Sequence, residues 1–310
     1  MTIQARSYRR SRSIDTMALL LMMLPGLFYL LVNNYLPMAG MVIAFKDVNY
    51  AKGILGSDWV GFKNFEFLFK TTDAFVITRN TLLYNSFFIV INMGVSMTIA
   101  VLLNEVRRKR FARFVQSAIF LPHLLSWVIV GYLAFSFLSE DNGFLNKTVL
   151  PLMGAEGVSW YGYPAAWPLI LTIVNIWKSA GYLSVIYYAA IIGIDKELYE
   201  AAEMDGAGKL KRVWSITLPS VMPVVIVMTL LQVGRIFYAD FGLFYQVPMD
   251  SGALYETTNV IDTYVYRALM NIGDIGMSSA AGVYQSVVGF ALIMLSNRLV
   301  KRVDPENALF

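Results

Sequence analysis

Cysteine is missing from this chain of 310 residues, and histidine occurs once. The first absence rules out disulfides, thiolate metal sites and cysteine nucleophiles, and the second leaves little for zinc chemistry, so no metal site is expected. Charge is scarce too: 15% of residues are Asp, Glu, Lys or Arg and 57% are hydrophobic, whereas a soluble domain is about a quarter charged. The composition is that of an integral membrane protein. A formal charge of +4 does not point to nucleic acid, because the basic residues stand in short clusters beside apolar runs, as membrane orientation requires.

Six runs are long and apolar enough to cross a bilayer, at 17–43, 80–104, 114–138, 165–194, 219–247 and 275–297. They predict an all-α, multi-pass protein with a single transmembrane domain over 17–300, flanked by tails 1–16 and 301–310. The first run is longer than a signal-peptide core and no small-residue cleavage site follows it, so it reads as an uncleaved helix. Pro25, Asn33, Asn34 and Pro37 mark a kink in it. With both ends cytoplasmic, the inner segments hold sixteen Lys and Arg, including Arg107, Arg108, Lys109, Arg110 and Arg113, against seven in the outer loops. In the first outer loop, Ser57 to Phe69 has aromatics on one side and Asp, Lys, Asn and Glu on the other, as an interfacial helix would.

Ionisable residues within a span are costly and are candidates for function by default. Lys178, Arg235 and Asp240 qualify. Asn175, Lys178 and Tyr182 fall on one helical face, and Gln232, Arg235 and Tyr238 run along one side of the fifth run, which together outlines a polar, aromatic-edged pathway suited to sugar hydroxyls and rings. The five-residue offset between Arg235 and Asp240 argues against a pair between them. Two cations would suit an acidic saccharide; pairing with other helices or a second subunit, or an ion relay in a channel or secondary transporter, are the competing readings. His123 reads as a packed polar residue.

One polar island, Glu200 to Pro219, interrupts the apolar runs within the segment 195–219. KELYEAAEM from Lys196 is rich in helix formers, with Leu198, Ala201 and Ala202 on a narrow apolar face. Asp205-Gly206 signals a turn, with Asp205 placed to cap a second short helix from Ala207 to Trp214 and Pro219 in the first turn of the next span. The spacing of Glu200-Ala201-Ala202, Asp205-Gly206-Ala207, Ile216, Leu218 and Pro219 resembles the EAA loop of permease subunits of binding-protein-dependent ABC importers. WVGFKNF (Trp59 to Phe65), LPHLLSWV (Leu121 to Val128) and VIDTYVYR (Val260 to Arg267) extend the likeness to the carbohydrate branch, specifically the polysaccharide and complex-oligosaccharide type, alginate importers among them. Val213 stands where many members have Phe.

The resemblance implies a type I ABC importer permease fold in the cytoplasmic (inner) membrane. It implies a second homologous permease as heterodimeric partner, two cytoplasmic ATPase subunits, an extracytoplasmic solute-binding protein and a carbohydrate substrate. Glu200, Ala201, Ala202, Asp205, Gly206, Ala207 and Pro219 would couple the chain to an ATPase. GAGK at Gly206 to Lys209 is not a phosphate loop, because no upstream glycine precedes it at the right spacing and Leu210 replaces Ser or Thr. ATP and Mg would therefore be bound by the partner ATPases, and this chain is expected to be a non-catalytic subunit without a cofactor of its own.

Overall fold

The computed structural model describes residues 3–303, which are almost entirely helical. In chain order, the elements that position the site are α1 (Ile3–Leu30), β1 (Lys46–Asp47), β2 (Asp58–Trp59), α2 (Thr72–Glu105), α3 (Lys109–Leu124), α4 (Trp127–Leu138), α5 (Trp167–Ile192), α6 (Lys196–Met204), α7 (Lys209–Arg212), α8 (Leu218–Val233), α9 (Phe241–Gln246), α10 (Ile261–Arg267) and α11 (Ile275–Val303). Five helices among the described residues are long and apolar enough to span a bilayer, and a sixth span results if the bent pair α3 and α4 is counted as one.

The first run winds as α1, then a wide turn Leu31–Tyr35, a short α-helical stretch Leu36–Met38 and a 3₁₀ stretch Ala39–Phe45. The winding thus changes where the Asn and Pro residues lie. Residues 3–16 of the expected tail continue α1 rather than forming a separate segment, and 301–303 continue α11; positions 1–2 and 304–310 lie outside the described residues.

Two of the expected spans are not straight rods. Residues 114–138 divide at Leu124, where α3 ends, and α4 leaves at 98°. Pro122 in the last turn of α3 and Ser126, whose hydroxyl accepts from the Ile129 N–H and caps α4, set that break. The run 219–247 also stops early. Its helix α8 ends at Val233, Gly234 to Asp240 is irregular, and α9 follows as a separate short helix. Arg235, Tyr238 and Asp240 therefore do not share a helical face with Gln232.

The Ser57 to Phe69 segment is not a continuous interfacial helix. Gly61 adopts φ +60°, which breaks helical winding there, and β2 pairs antiparallel with β1 in the register Lys46 opposite Trp59. Lys46 Nζ donates to the carbonyls of Ile54 and Leu55 at 3.0 and 2.8 Å, and Asn64 Nδ2 donates to Ala44 and Lys46 carbonyls. The aromatics expected on one helix face instead gather around Phe45, with Trp59, Phe62 and Phe65 rings 5.3 to 6.0 Å away.

The core sits on α5. One cluster joins Tyr84 and Phe88 of α2, Val130 of α4, Trp167 and Leu171 of α5, and Leu243 and Phe244 of α9. Another joins Ala100 of α2, Leu183 and Tyr187 of α5 and Val221 of α8. Between α2 and α5, Asn92 Nδ2 donates to Asn175 Oδ1 at 2.7 Å and the Ser96 hydroxyl donates to the Ala180 carbonyl at 3.1 Å. Lipid offers helices no hydrophobic reason to associate, so close backbone approach and such polar contacts hold them together.

Gly181 on α5 is the closest of these approaches to α3: a Cβ there would lie 2.1 Å from the Ile119 carbonyl oxygen. Gly181→Ala forces the two helices apart and should cost roughly 1–3 kcal/mol, read as a lower midpoint in thermal unfolding of the detergent-solubilised protein; an unchanged midpoint would refute the contact.

Candidate functional site

The polar island forms a compact helix–turn–helix. The Asp195 carboxylate accepts from the Glu197 N–H at 3.0 Å and caps α6. At the other end Gly206, at φ +76°, takes the left-handed conformation, its N–H donating to the Glu203 carbonyl and the Ala207 N–H to the Ala202 carbonyl. These two bonds close a Schellman motif, which a glycine allows without a Cβ clash. Asp205 does not cap the next helix; it is the last residue of the α6 turn, and Gly208 opens α7 without a side-chain bond. Two intervening residues put Asp205 too far back along the chain to reach the α7 donors.

The second helix begins at Lys209 rather than Ala207 and does not end at Trp214. α7 passes through a wide turn, Val213–Thr217, into α8, so that Lys209–Val233 forms one helical span. Pro219 is the second residue of α8, where the wide turn has already shifted the hydrogen-bond pattern and a missing N–H is tolerated. Arg212 pairs with Glu203 at 3.0 Å, the Tyr199 hydroxyl meets Thr217 Oγ1 at 2.8 Å, and Lys209 pairs with Glu105 of α2 at 3.0 Å. These tie the motif to itself and to the membrane helices. Its outer face is bare: Glu200 and Ala201 are exposed, Ala202 and Ala207 half-buried, and Met204 and Trp214 are 90% and 70% exposed.

The membrane-embedded candidates are partly brought together at the α3–α4 break. Lys178 is buried on α5, and its Nζ donates to the carbonyls of Pro122, His123 and Leu125 at 3.3, 3.1 and 2.5 Å and lies 4.8 Å from the Trp127 ring centroid. It serves the His123 and Leu125 carbonyls at the broken end of the helix and adds a second donor to the Pro122 carbonyl, which already accepts from the Leu125 N–H. Tyr182, one turn on, stacks on His123 with ring centroids 4.8 Å apart. Asn175 is occupied by Asn92. Trp127 in turn lies against α9, where a Cβ on Gly242 would come within 2.0 Å of its ring. Asp240 caps α9, accepting from the Gly242 and Leu243 N–H groups at 3.0 and 3.4 Å.

Gln232, Arg235 and Tyr238 stand apart from that cluster. Gln232 donates to the Met228 carbonyl of its own helix, Tyr238 shares a 2.9 Å hydrogen bond with Ser286, and Arg235 is exposed on the turn after α8 with no ion pair among the described residues. Lys178 and Asp240 both border Trp127, whereas Arg235 lies apart from them.

Polar side chains on other elements serve the irregular stretch 234–240, and the sequence reading missed them. Asn85 donates to the Ile236 carbonyl, Gln285 to the Phe237 carbonyl, and Asp262 accepts from the Ala239 N–H, at 2.7, 2.7 and 2.8 Å. Their signal was available as isolated amides and a carboxylate within apolar surroundings.

Comparison with known proteins decides what this geometry belongs to. Residues 91–305 match the model of the family described as binding-protein-dependent transport system inner membrane component. The chain belongs to this family. It is 40% identical over 289 residues to the polygalacturonan/rhamnogalacturonan transport system permease protein YteP of Bacillus subtilis, covering 93% of this chain and 89% of the relative. The arabinooligosaccharides transport system permease protein AraP of Halalkalibacterium halodurans is 27% identical over 271 residues, covering 86% and 82%. A crystal structure of a bacterial ABC transporter involved in the import of the acidic polysaccharide alginate superposes with a TM-score of 0.86 at 31% identity, covering 96% of this chain and 99% of that one. The fold is thus that of a type I ABC importer permease, and the protein is a permease subunit of an ABC importer for a sugar or polysaccharide, set in the inner membrane.

Lys178→Met removes the cation and takes the donor from the His123 and Leu125 carbonyls of the break. The expected result is a loss of stability of roughly 2–6 kcal/mol, the cost of two buried acceptors left unsatisfied, and equal loss of uptake for every substrate. Selective loss for one substrate class would assign Lys178 a role in recognition instead.

Proposed function

We propose that this subunit passes an acidic oligosaccharide, a fragment of a uronate-bearing polysaccharide, from a solute-binding protein to the cytoplasm. The observation that carries this reading is that an importer named for polygalacturonan and rhamnogalacturonan and one named for the acidic polysaccharide alginate both match nearly the whole chain. A related structure of that alginate transporter contains an alginate pentasaccharide-bound periplasmic protein, and this chain superposes on it with a TM-score of 0.85 at 30% identity. The chain's own contribution is Arg235, the intramembrane cation left exposed once Lys178 is committed to the helix break. With Tyr238 beside it, Arg235 offers a carboxylate a charge and a sugar ring a flat face.

Energy enters through α6 and α7 on the cytoplasmic side, the side on which both chain ends lie. The bare face around Glu200, Ala201 and Ala202 seats in a groove of an ATPase subunit, with Glu200 meeting a basic residue and the two alanines allowing close approach. A second ATPase serves a homologous permease, which completes the pathway. Closure of the ATPase pair around ATP and Mg carries the docked helices with it and rocks the bundle.

Two variants test these roles separately. Gly206→Pro cannot adopt φ +76°, since the proline ring holds φ near −65°; the expected result is a complex that inserts in the membrane but shows no ATP hydrolysis stimulated by loaded binding protein, and undiminished stimulation would sink the coupling role. Arg235→Gln should lower uptake of an acidic oligosaccharide roughly tenfold, the worth of one charge-assisted contact, while sparing a neutral one of equal length. Equal loss for both would make Arg235 structural.

A further inference from the structure

A second site lies away from any sugar path, in a cavity of about 700 Å³ between the α2–α3 connection and the α5–α6 junction. That volume is in the range of small-ligand sites. Arg107, Lys109 and Arg113 line it from one side and Lys196 from another, with Tyr199 and Gln116 supplying neutral polar groups. Glu105 and Arg212 also reach it, but each is already neutralised, by Lys209 and Glu203 respectively. Arg107, Lys109, Arg113 and Lys196 have no carboxylate partner among the described residues. Four unanswered cations around one concave space repel one another, so the space is built for an anion rather than for the chain's own side chains.

We propose that this cavity binds a phosphate-bearing anion, either the headgroup of an anionic phospholipid or a free phosphate compound. The inference rests on the reading that this face is cytoplasmic. Arginine forks match phosphate oxygens in pairs, and basic pockets between helices on the cytoplasmic side are a known form of headgroup site. Ile192, 61% exposed, lines the cavity beside Ile191 and Ile194 and provides the apolar border along which acyl chains would leave it. Since the cavity is walled by Tyr199 and Thr217 of the coupling motif, an occupant would stiffen the joint between α6 and the membrane helices.

The test is native mass spectrometry of the assembled, delipidated transporter. It is titrated in separate arms with phosphatidylglycerol, phosphatidylcholine and inorganic phosphate. The proposal expects phosphatidylglycerol or phosphate to be retained more strongly than phosphatidylcholine. The Arg107→Gln, Arg113→Gln double variant should lower that retention roughly thirtyfold, and the Arg107→Lys, Arg113→Lys double variant should largely restore it. Preference for phosphatidylglycerol that inorganic phosphate does not displace identifies the lipid as occupant; displacement at millimolar phosphate identifies a soluble anion. Retention that is the same in wild type and the Gln variant overturns the site. Because adducts are counted without ATP turnover, this result stands apart from whether loaded binding protein stimulates hydrolysis.

Discussion

Within a bilayer a backbone N–H or C=O without a partner has no water to turn to, so any place where a spanning helix stops must be supplied with hydrogen bonds by other parts of the protein. Lys178 is the main supplier here. Its bonds to the His123 and Leu125 carbonyls, with a third to Pro122, allow one apolar run to turn through 98° without leaving the end of the helix bare. Once α4 is swung away from α3, Trp127 faces α9, Gly242 can close on its ring, and the core on Trp167 and Phe244 fills the angle. Asn85, Asp262 and Gln285 do for residues 234–240 what Lys178 does for the other break. The polar residues of the membrane interior are in this sense parts of the backbone's hydrogen-bond network before they are anything else.

That explains which features could be read from the sequence. Hydropathy reports only whether a segment is apolar, and both broken runs are apolar throughout their helical parts, so they looked like intact spans. Pro122 was visible, but a proline within a spanning helix is as often a kink as a stop; the decisive partner, Lys178, lies 53 to 56 residues along the chain. The same holds for Arg235 and Asp240, whose helical phases were counted across a stretch that is not helical. By contrast, Gly206 was legible because a positive φ is a local demand that only the residue itself can meet. Asp205 was misassigned because a capping carboxylate depends on the number of residues that follow the turn. Ala201 and Ala202 were legible as a narrow small-residue face, and the structure leaves Ala201 exposed and Ala202 half-buried.

The helix–turn–helix α6–α7 and the membrane core are joined by few but specific links. Lys209 reaches Glu105 at the end of α2, and Tyr199 reaches Thr217 beneath the wide turn. The first of these is a surface ion pair of modest worth; the second is half-buried and short. The motif is consequently held in orientation by the chain that enters and leaves it as much as by side chains.

The wide turn Val213–Thr217 has a consequence for which way the two ends of its helix face. Lys209–Val233 is a rod of 25 residues, about 37 Å long at 1.5 Å per residue. One i→i+5 turn inserts an extra residue in the winding and rotates everything beyond it by about 100° relative to an unbroken α-helix. Leu210 at one end and Gln232 at the other therefore face directions relative to each other that an unbroken α-helix of the same length would not give them.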